Sequence, residues 1–550
     1  RVCDEVMGVG ALGLVNRGFD TVVKPNLEKP LAKSGCVSCG QCVSVCPTGA
    51  LQERTTMVKE VPVATVETDT TCSFCSIGCS LKLESYGDML VKANPDKEGL
   101  VNKGLACGKG KWGFDCAVLE DKLEMPLIKD GESFREADYH EALTLVAKKM
   151  QSTASKYCPN HIGVSISDRY TNEEAYAIKT MAEAIGAKIF CANNRQSGIK
   201  EVIGHDASPN TIDELLSTDF ILVVGYNAVD NPIIQIKIKQ ATDNGAKLAL
   251  VNPAEFPQHM ANVSKTVYAE DLGFLKQVAK AIIDAGKGAD IAGYDELAKA
   301  LSGVTVGEDA KEIADMYMNA GKAMIVFNQN LVSVDTARLI GDIALLSGHI
   351  GSPRNGILQV KAKNNSQGLI DLGITEGAEQ LEGLKALFVF GEEFPLDGSL
   401  GLKREDLEFL AVCDTHMTPF AAKADVVIPG TGFASTDGTF TNTERRLQPV
   451  LAAIDEDVYL ANWEVAAGIA EIFEIECPWE STEDISFEMD DCVPTYKYAE
   501  LDEILGGVLL PVDPQLVVPE GDVFGDRLPC TDSLMNVIAE RLPVMANPTE

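Results

Sequence analysis

Four cysteines constrain this chain more than any other feature. Cys72, Cys75, Cys79 and Cys107 are spaced C-x2-C-x3-C-x27-C. Three thiolates from one tight loop, closed by a fourth from a distance, suit a soft metal centre. A [4Fe–4S] cube takes four cysteine sulfurs at tetrahedral corners, and this spacing supplies them. Structural zinc and buried thiols are the alternatives. The cube is favoured over zinc because another iron–sulfur spacing lies just upstream.

That upstream stretch reads CVSCGQCVSVCPTGAL, so Cys36, Cys39, Cys42 and Cys46 fit C-x2-C-x2-C-x3-C-P. In two-cluster bacterial ferredoxins the fourth cysteine of such a run serves the other cluster. Cys3, in RVCDE, resembles the last cysteine of a preceding run. It is expected to join Cys36, Cys39 and Cys42 on one cube. Cys46 then belongs to a second cube whose remaining ligands precede residue 1, and the chain is expected to be a fragment of a longer one. Nine of the 16 cysteines fall into these spacings, which metal ligation explains better than disulfides. Cys116 reads as a buried thiol, and Cys477, Cys492 and Cys530 are too scattered for a metal site.

At 550 residues several domains are expected, and 45% hydrophobic content is ample for their cores. The net charge of −35 argues against nucleic acid or an anionic membrane as partner. It favours docking to a basic patch on another subunit. No apolar run of about 18 residues occurs, so no membrane span is expected. No signal peptide is read, and a cytoplasmic location is expected.

Beyond about residue 119 the chain alternates strand and helix patterns. HIGVSIS, AKIFCA, FILVVGYN and KLALVNP read as strands. NEEAYAIKTMAEAIG, ending at Gly186, and PIIQIKIKQATDNGA read as helices. AMIVFNQ, GILQVK, LKALFVF, FLAVCDTH and ADVVIPGTG continue the pattern. Such alternation predicts parallel sheets covered by helices, with ligands beyond the carboxyl ends of the strands. GYN at 225–227 and VNP at 251–253 are therefore the expected nucleotide-facing positions, with a simple turn after a strand as the alternative.

The cysteine spacing followed by CGKGKWG resembles the cluster domain of the molybdopterin oxidoreductase superfamily. That group includes formate dehydrogenases and the large iron–sulfur subunit of NADH dehydrogenase. RGFDTVV and SGCVSCGQC resemble the paired-cluster module of NAD-linked formate dehydrogenases and iron-only hydrogenases. NNSQGLIDLG and DGTFTNTERRLQPV resemble later stretches of the same superfamily, where backbone and side chains approach a pterin. The resemblance implies that Lys109 lies between cube and pterin, with a solvated loop lysine as the alternative. It also implies that Gly438, Thr439, Asn442, Glu444 and Arg445 contact a molybdopterin guanine dinucleotide. The alternative is that this segment survives as a structural turn.

Two departures from the family shape the functional expectation. Relatives that oxidise formate ligate the metal through a segment like CARVCH, and ANNRQSGIKEV occupies that place here. Arg195 matches the arginine. Ser197 falls where the metal-ligating cysteine should be, Gly198 replaces the histidine, and Cys191 reads as part of a buried strand. We expect Ser197 to be a surface-loop serine, with metal ligation as the weaker alternative. The second departure is length: the tail from about residue 505 has too few alternating strands for the barrel-like domain that ends the molybdenum enzymes, and that domain is expected to be missing.

The expected architecture is therefore α/β in five parts. These are a ferredoxin-like module at 1–55, a [4Fe–4S] domain at 67–118, an α/β domain at 119–384, a second α/β part at 385–475 and a tail at 476–550. The expected function is electron transfer within an NAD(H)-linked complex, between a flavin/NADH-binding iron–sulfur subunit and a further redox subunit. The scaffold is expected to have lost its own metal site. A molybdenum or tungsten formate dehydrogenase alpha subunit is the alternative.

Overall fold

A computed structural model describes residues 1–25, 29–52, 64–114, 122–192, 194–228, 230–252, 262–375, 377–456, 459–496 and 515–519. Cys116 and Cys530 lie outside the described residues, as do most of the connector and most of the tail.

Two parallel sheets carry the molecule. The first has five strands in the order Lys265–Tyr268, Lys247–Asn252, Phe220–Val224, Ala323–Asn328 and Gly356–Val360, all parallel. Most of its residues are buried, as a sheet covered on both faces requires. The second has seven strands in the order Ser133–Glu136, Leu127–Asp130, Val426–Pro429, Phe409–Asp414, Ala386–Phe390, Ile162–Ile166 and Lys188–Phe190. It is parallel except for the edge hairpin Leu127–Glu136, whose strand Leu127–Asp130 pairs antiparallel with Val426–Pro429.

The α/β parts expected at 119–384 and 385–475 are not stacked one after the other. The strand Ile162–Ile166 lies directly beside Ala386–Phe390, so residues before 190 and after 385 build one sheet. The five-stranded unit is inserted between them. Local patterns identify strands but not partners, and that is why the boundary falls elsewhere.

The small domain is a three-stranded antiparallel sheet, Val66–Thr71, Ser80–Tyr86 and Met89–Pro95. It is not a separate body. Cys72, Phe74, Cys75, Ile77 and Cys79 share one apolar core with Ile221, Val223, Tyr226 and Ile233 of the five-stranded unit. The cysteine loop therefore sits against that unit. No helix among the described residues is long and apolar enough to cross a membrane.

Candidate iron–sulfur site and the neighbouring clefts

Cys72, Cys75 and Cys79 lie on the turn between the first two strands of the small domain, and Cys107 precedes the helix Gly108–Trp112. All four are buried. Burial pushes the Cys72 and Cys79 thiols up, and repulsion from the neighbouring cysteines adds to it. Cys75 is raised by burial and by Cys107. Buried thiols raised in this way need a cation to become thiolates.

In the N-terminal module the repulsion is shared by Cys3, Cys36, Cys39 and Cys42. Cys3 raises each of the other three, although burial is the largest cause, and Cys39 reaches about 12. Cys46 is half-buried. Hydrogen bonds from the Leu51 backbone and from Thr48 lower its thiol to about 7. Cys3 thus lies near enough to Cys36, Cys39 and Cys42 to act on each of them.

Lys109 is buried, not solvated, and its Nζ donates to the Asp230 carbonyl at 3.2 Å. It borders a cleft of about 250 Å3 beside Cys75, at the carboxyl ends of the five-stranded sheet, with Asp230, Asn231 and Asn328. The strand order reverses between Phe220–Val224 and Ala323–Asn328, so this is the switch point where such sheets take ligands. Of the GYN turn, Tyr226 is wholly buried and donates from its hydroxyl to the Asn231 carbonyl at 2.6 Å. A second cavity, of about 130 Å3, lies at the carboxyl ends of the seven-stranded sheet among Arg169, Glu174, Asp414, His416 and Thr436. Both are smaller than the roughly 300–1,000 Å3 usual for ligand sites.

The five residues expected to touch a pterin line neither cleft. They belong to the hairpin Gly438–Thr441 and Leu447–Val450 and the turn joining them. Thr439 donates from its backbone and hydroxyl to Glu173, at 2.7 and 2.8 Å. A Cβ on Gly438 would lie 2.5 Å from the same carboxylate. Asn442 donates to the Ile77 carbonyl at 3.0 Å, within the cysteine loop. Glu444 accepts from the Ile212 amide and from Arg446, and Arg445 faces Asp371 at 3.6 Å. Thr443 and Gln448 reach the same loop at Ser76 and Gly78. Gly78 has φ of +70°, and a Cβ there would overlap the Gln448 side chain. The hairpin is a clamp on the cysteine loop.

Ser197 is not the surface serine expected from sequence. It is fully buried, and both its amide and its hydroxyl donate to Asp206, at 2.8 and 2.9 Å. Lys361 Nζ lies 2.9 Å from the same carboxylate, and Gln359 donates to it at 2.8 Å. Burial alone would raise the Asp206 carboxyl, but Lys361 and the hydrogen bonds hold it below its ordinary value. Burial pulls the Lys361 ammonium down against the pull of Asp206. A serine ligating molybdenum would need its oxygen free and facing an open position. Here it is committed to an ion pair inside the protein, so these residues do not fit the metal. Sequence reading missed Asp206 and Lys361; the signal was a lone lysine ending the apolar run GILQVK.

Cys191 is also buried, just past the strand Lys188–Phe190, and its thiol donates to Glu392 at 3.3 Å. Asp168 completes that group, with Lys363 at 3.1 Å from its carboxylate.

A cysteine cage laid on parallel sheets covered by helices defines an iron–sulfur oxidoreductase scaffold of α/β type. The chain belongs to the molybdopterin oxidoreductase family, whose description matches residues 122–458. The Fe4S4 domain of the same family matches residues 65–117, and a 4Fe-4S binding domain matches residues 33–52. The alpha subunit of F420-dependent formate dehydrogenase 2 from Methanococcus maripaludis is 28% identical, over 78% of this chain and 73% of that one. The probable oxidoreductase YjgC of Bacillus subtilis is 25% identical over 85% of this chain. The matched region spans only 59% of that relative's length. Among solved structures, acetylene hydratase from Pelobacter acetylenicus has the same fold, with a TM-score of 0.64 at 14% identity, covering 82% of this chain and 74% of that one.

Proposed function

We propose that this chain is an electron-transfer subunit that carries cubes at Cys72, Cys75, Cys79 and Cys107 and at Cys3, Cys36, Cys39 and Cys42. Cys46 is a ligand of a further cube completed from outside the described residues. The bound clusters supply one-electron redox chemistry. The chain's own residues hold the thiolates, exclude water and fix the spacing. The setting that fits is a complex with a flavin/NADH-binding iron–sulfur subunit at one end and a second redox subunit at the other.

One observation carries the further claim that the metal site is lost. Ser197, in the segment that resembles the family's metal-ligating one, is buried and bonded to Asp206, which pairs with Lys361. The small clefts and the inward-bonded hairpin support the same reading.

The test is iron, molybdenum, tungsten and released pterin per chain in the native complex. Iron for several cubes with neither heavy metal nor pterin is the expected result. Stoichiometric molybdenum or tungsten sinks it. The likeness to formate dehydrogenase alpha subunits favours that second reading, in which Ser197→Ala abolishes metal retention.

A further inference from the structure

The two sets of four cysteines are joined by the short helix within the CGKGKWG stretch. The helix Gly108–Trp112 begins at Cys107, which is its N-cap. One side of it meets the inner cysteine set: a Cβ on Gly110 would lie 3.3 Å from Cys72 Sγ. Its far end meets the outer set. A Cβ on Gly40, next to Cys39, would lie 2.8 Å from a Trp112 ring carbon and 3.0 Å from the Lys111 side chain. Gly40 has φ of +71°, so both backbone and space require glycine there. The Trp112 indole N–H donates to the Ser38 carbonyl at 2.5 Å. The Ser38 amide in turn points at Cys36 Sγ, 3.4 Å away. Lys111 anchors the helix from below, its Nζ donating to the Ala93 carbonyl at 3.0 Å and to Asn94 at 2.8 Å.

We propose that the helix Gly108–Trp112 is the bridge between the two cubes, and that Trp112 is the positioning residue that sets their separation and coupling. Trp112 does so by pinning the Cys36–Cys42 loop through its hydrogen bond to Ser38 and its ring contact with Gly40. The path runs from Cys36 through the Ser38 amide and carbonyl to the indole. It then follows the helix back to Cys107. A single electron crosses: the donor set is oxidised by one electron and the acceptor set reduced by one. No bond forms or breaks. The reductant is the partner's reduced flavin in the assembly, and dithionite in the test. This inference rests on the electron-transfer reading above.

The experiment compares Trp112→Ala and Trp112→Phe with the parent protein. Readouts are iron per chain, the spin–spin broadening between the two cubes by electron paramagnetic resonance after dithionite reduction, and the rate of electron passage between them. W112A is expected to keep its iron and each cube's own signal while losing the broadening and slowing electron passage. W112F fills the ring contact but lacks the N–H, and an intermediate result is expected. Full iron with unchanged broadening in W112A overturns the proposal. If W112A loses iron, W112F decides: full iron with parental broadening there overturns it equally. A parent protein that binds no iron at either cysteine set would instead overturn the electron-transfer reading itself.

Discussion

Lys361 and Asp206 form a buried pair in which each residue is tolerable only because of the other. Both side chains are essentially inaccessible to water. Removing one partner of such a pair leaves an uncompensated charge and costs about 3–5 kcal/mol. Lys361→Met is therefore expected to lower the denaturation midpoint sharply, and the double variant K361M/D206N to recover most of the loss. A K361M protein as stable as the parent would show that the pair is not intact. Glu174 tests the other cavity. Burial raises its carboxyl to about 7, against hydrogen bonds from Thr171 and Asn462 that favour the charged form. A folded-state value above the unfolded one means that the folded protein binds the proton more tightly. The stabilisation is complete below the ordinary carboxylate value near 4.5 and fades as pH rises to about 7. Glu174→Gln is expected to flatten the fall in stability between those two values, by up to about 3 kcal/mol. Chemical denaturation at a series of pH values measures it, and parallel curves for the two proteins would contradict it.

Single elements were the most legible part of the sequence. The helix foreseen in NEEAYAIKTMAEAIG is observed at Asn172–Ala184, and the strand FILVVGYN at Phe220–Val224, because local periodicity alone marks them. The cysteine spacings marked two stretches that 4Fe-4S domain descriptions also match. What the sequence hid is long-range. The resemblance pointed DGTFTNTERR outward at a cofactor, whereas Asn442 turns inward to the Ile77 carbonyl and Thr439 to the Glu173 carboxylate, hundreds of residues away, and no local pattern reports a partner at that distance. The inward placement has a measurable consequence. Asn442 donates to Ile77 and accepts from the Glu444 and Arg446 amides. Asn442→Ala orphans these buried backbone groups at a cost of about 1–3 kcal/mol for each left unsatisfied. It is expected to loosen the cysteine loop and speed the loss of iron to a chelator. Parental release kinetics would mean that the hairpin does not clamp the loop.

Across the whole molecule the two sheets have unequal relations to the cysteine cage. The five-stranded unit shares its apolar core with Cys72, Cys75 and Cys79, while the core under the seven-stranded sheet contains none of these ligands. By its apolar packing, iron binding is therefore coupled more directly to one half of the fold. The free energy of holding the metal is also folding free energy for the elements that hold it. Without iron the buried thiols regain their protons, which avoids buried charge but leaves the cage without its contents. The loops around it are then held by the packing of Ile77 and Phe74 on the sheet and by the hydrogen bonds of the hairpin. Removal of iron by chelation under oxidising conditions is expected to make residues 64–114 sensitive to limited proteolysis and to lower the first step of thermal unfolding. The helices Asn172–Ala184 and Asn462–Ile472, packed on the seven-stranded sheet, are expected to stay protected. Peptide mapping by mass spectrometry before and after chelation reads both outcomes together. Uniform loss of protection across both halves would mean that the cage supports the entire fold. An unchanged map would mean that the cage stands without its metal.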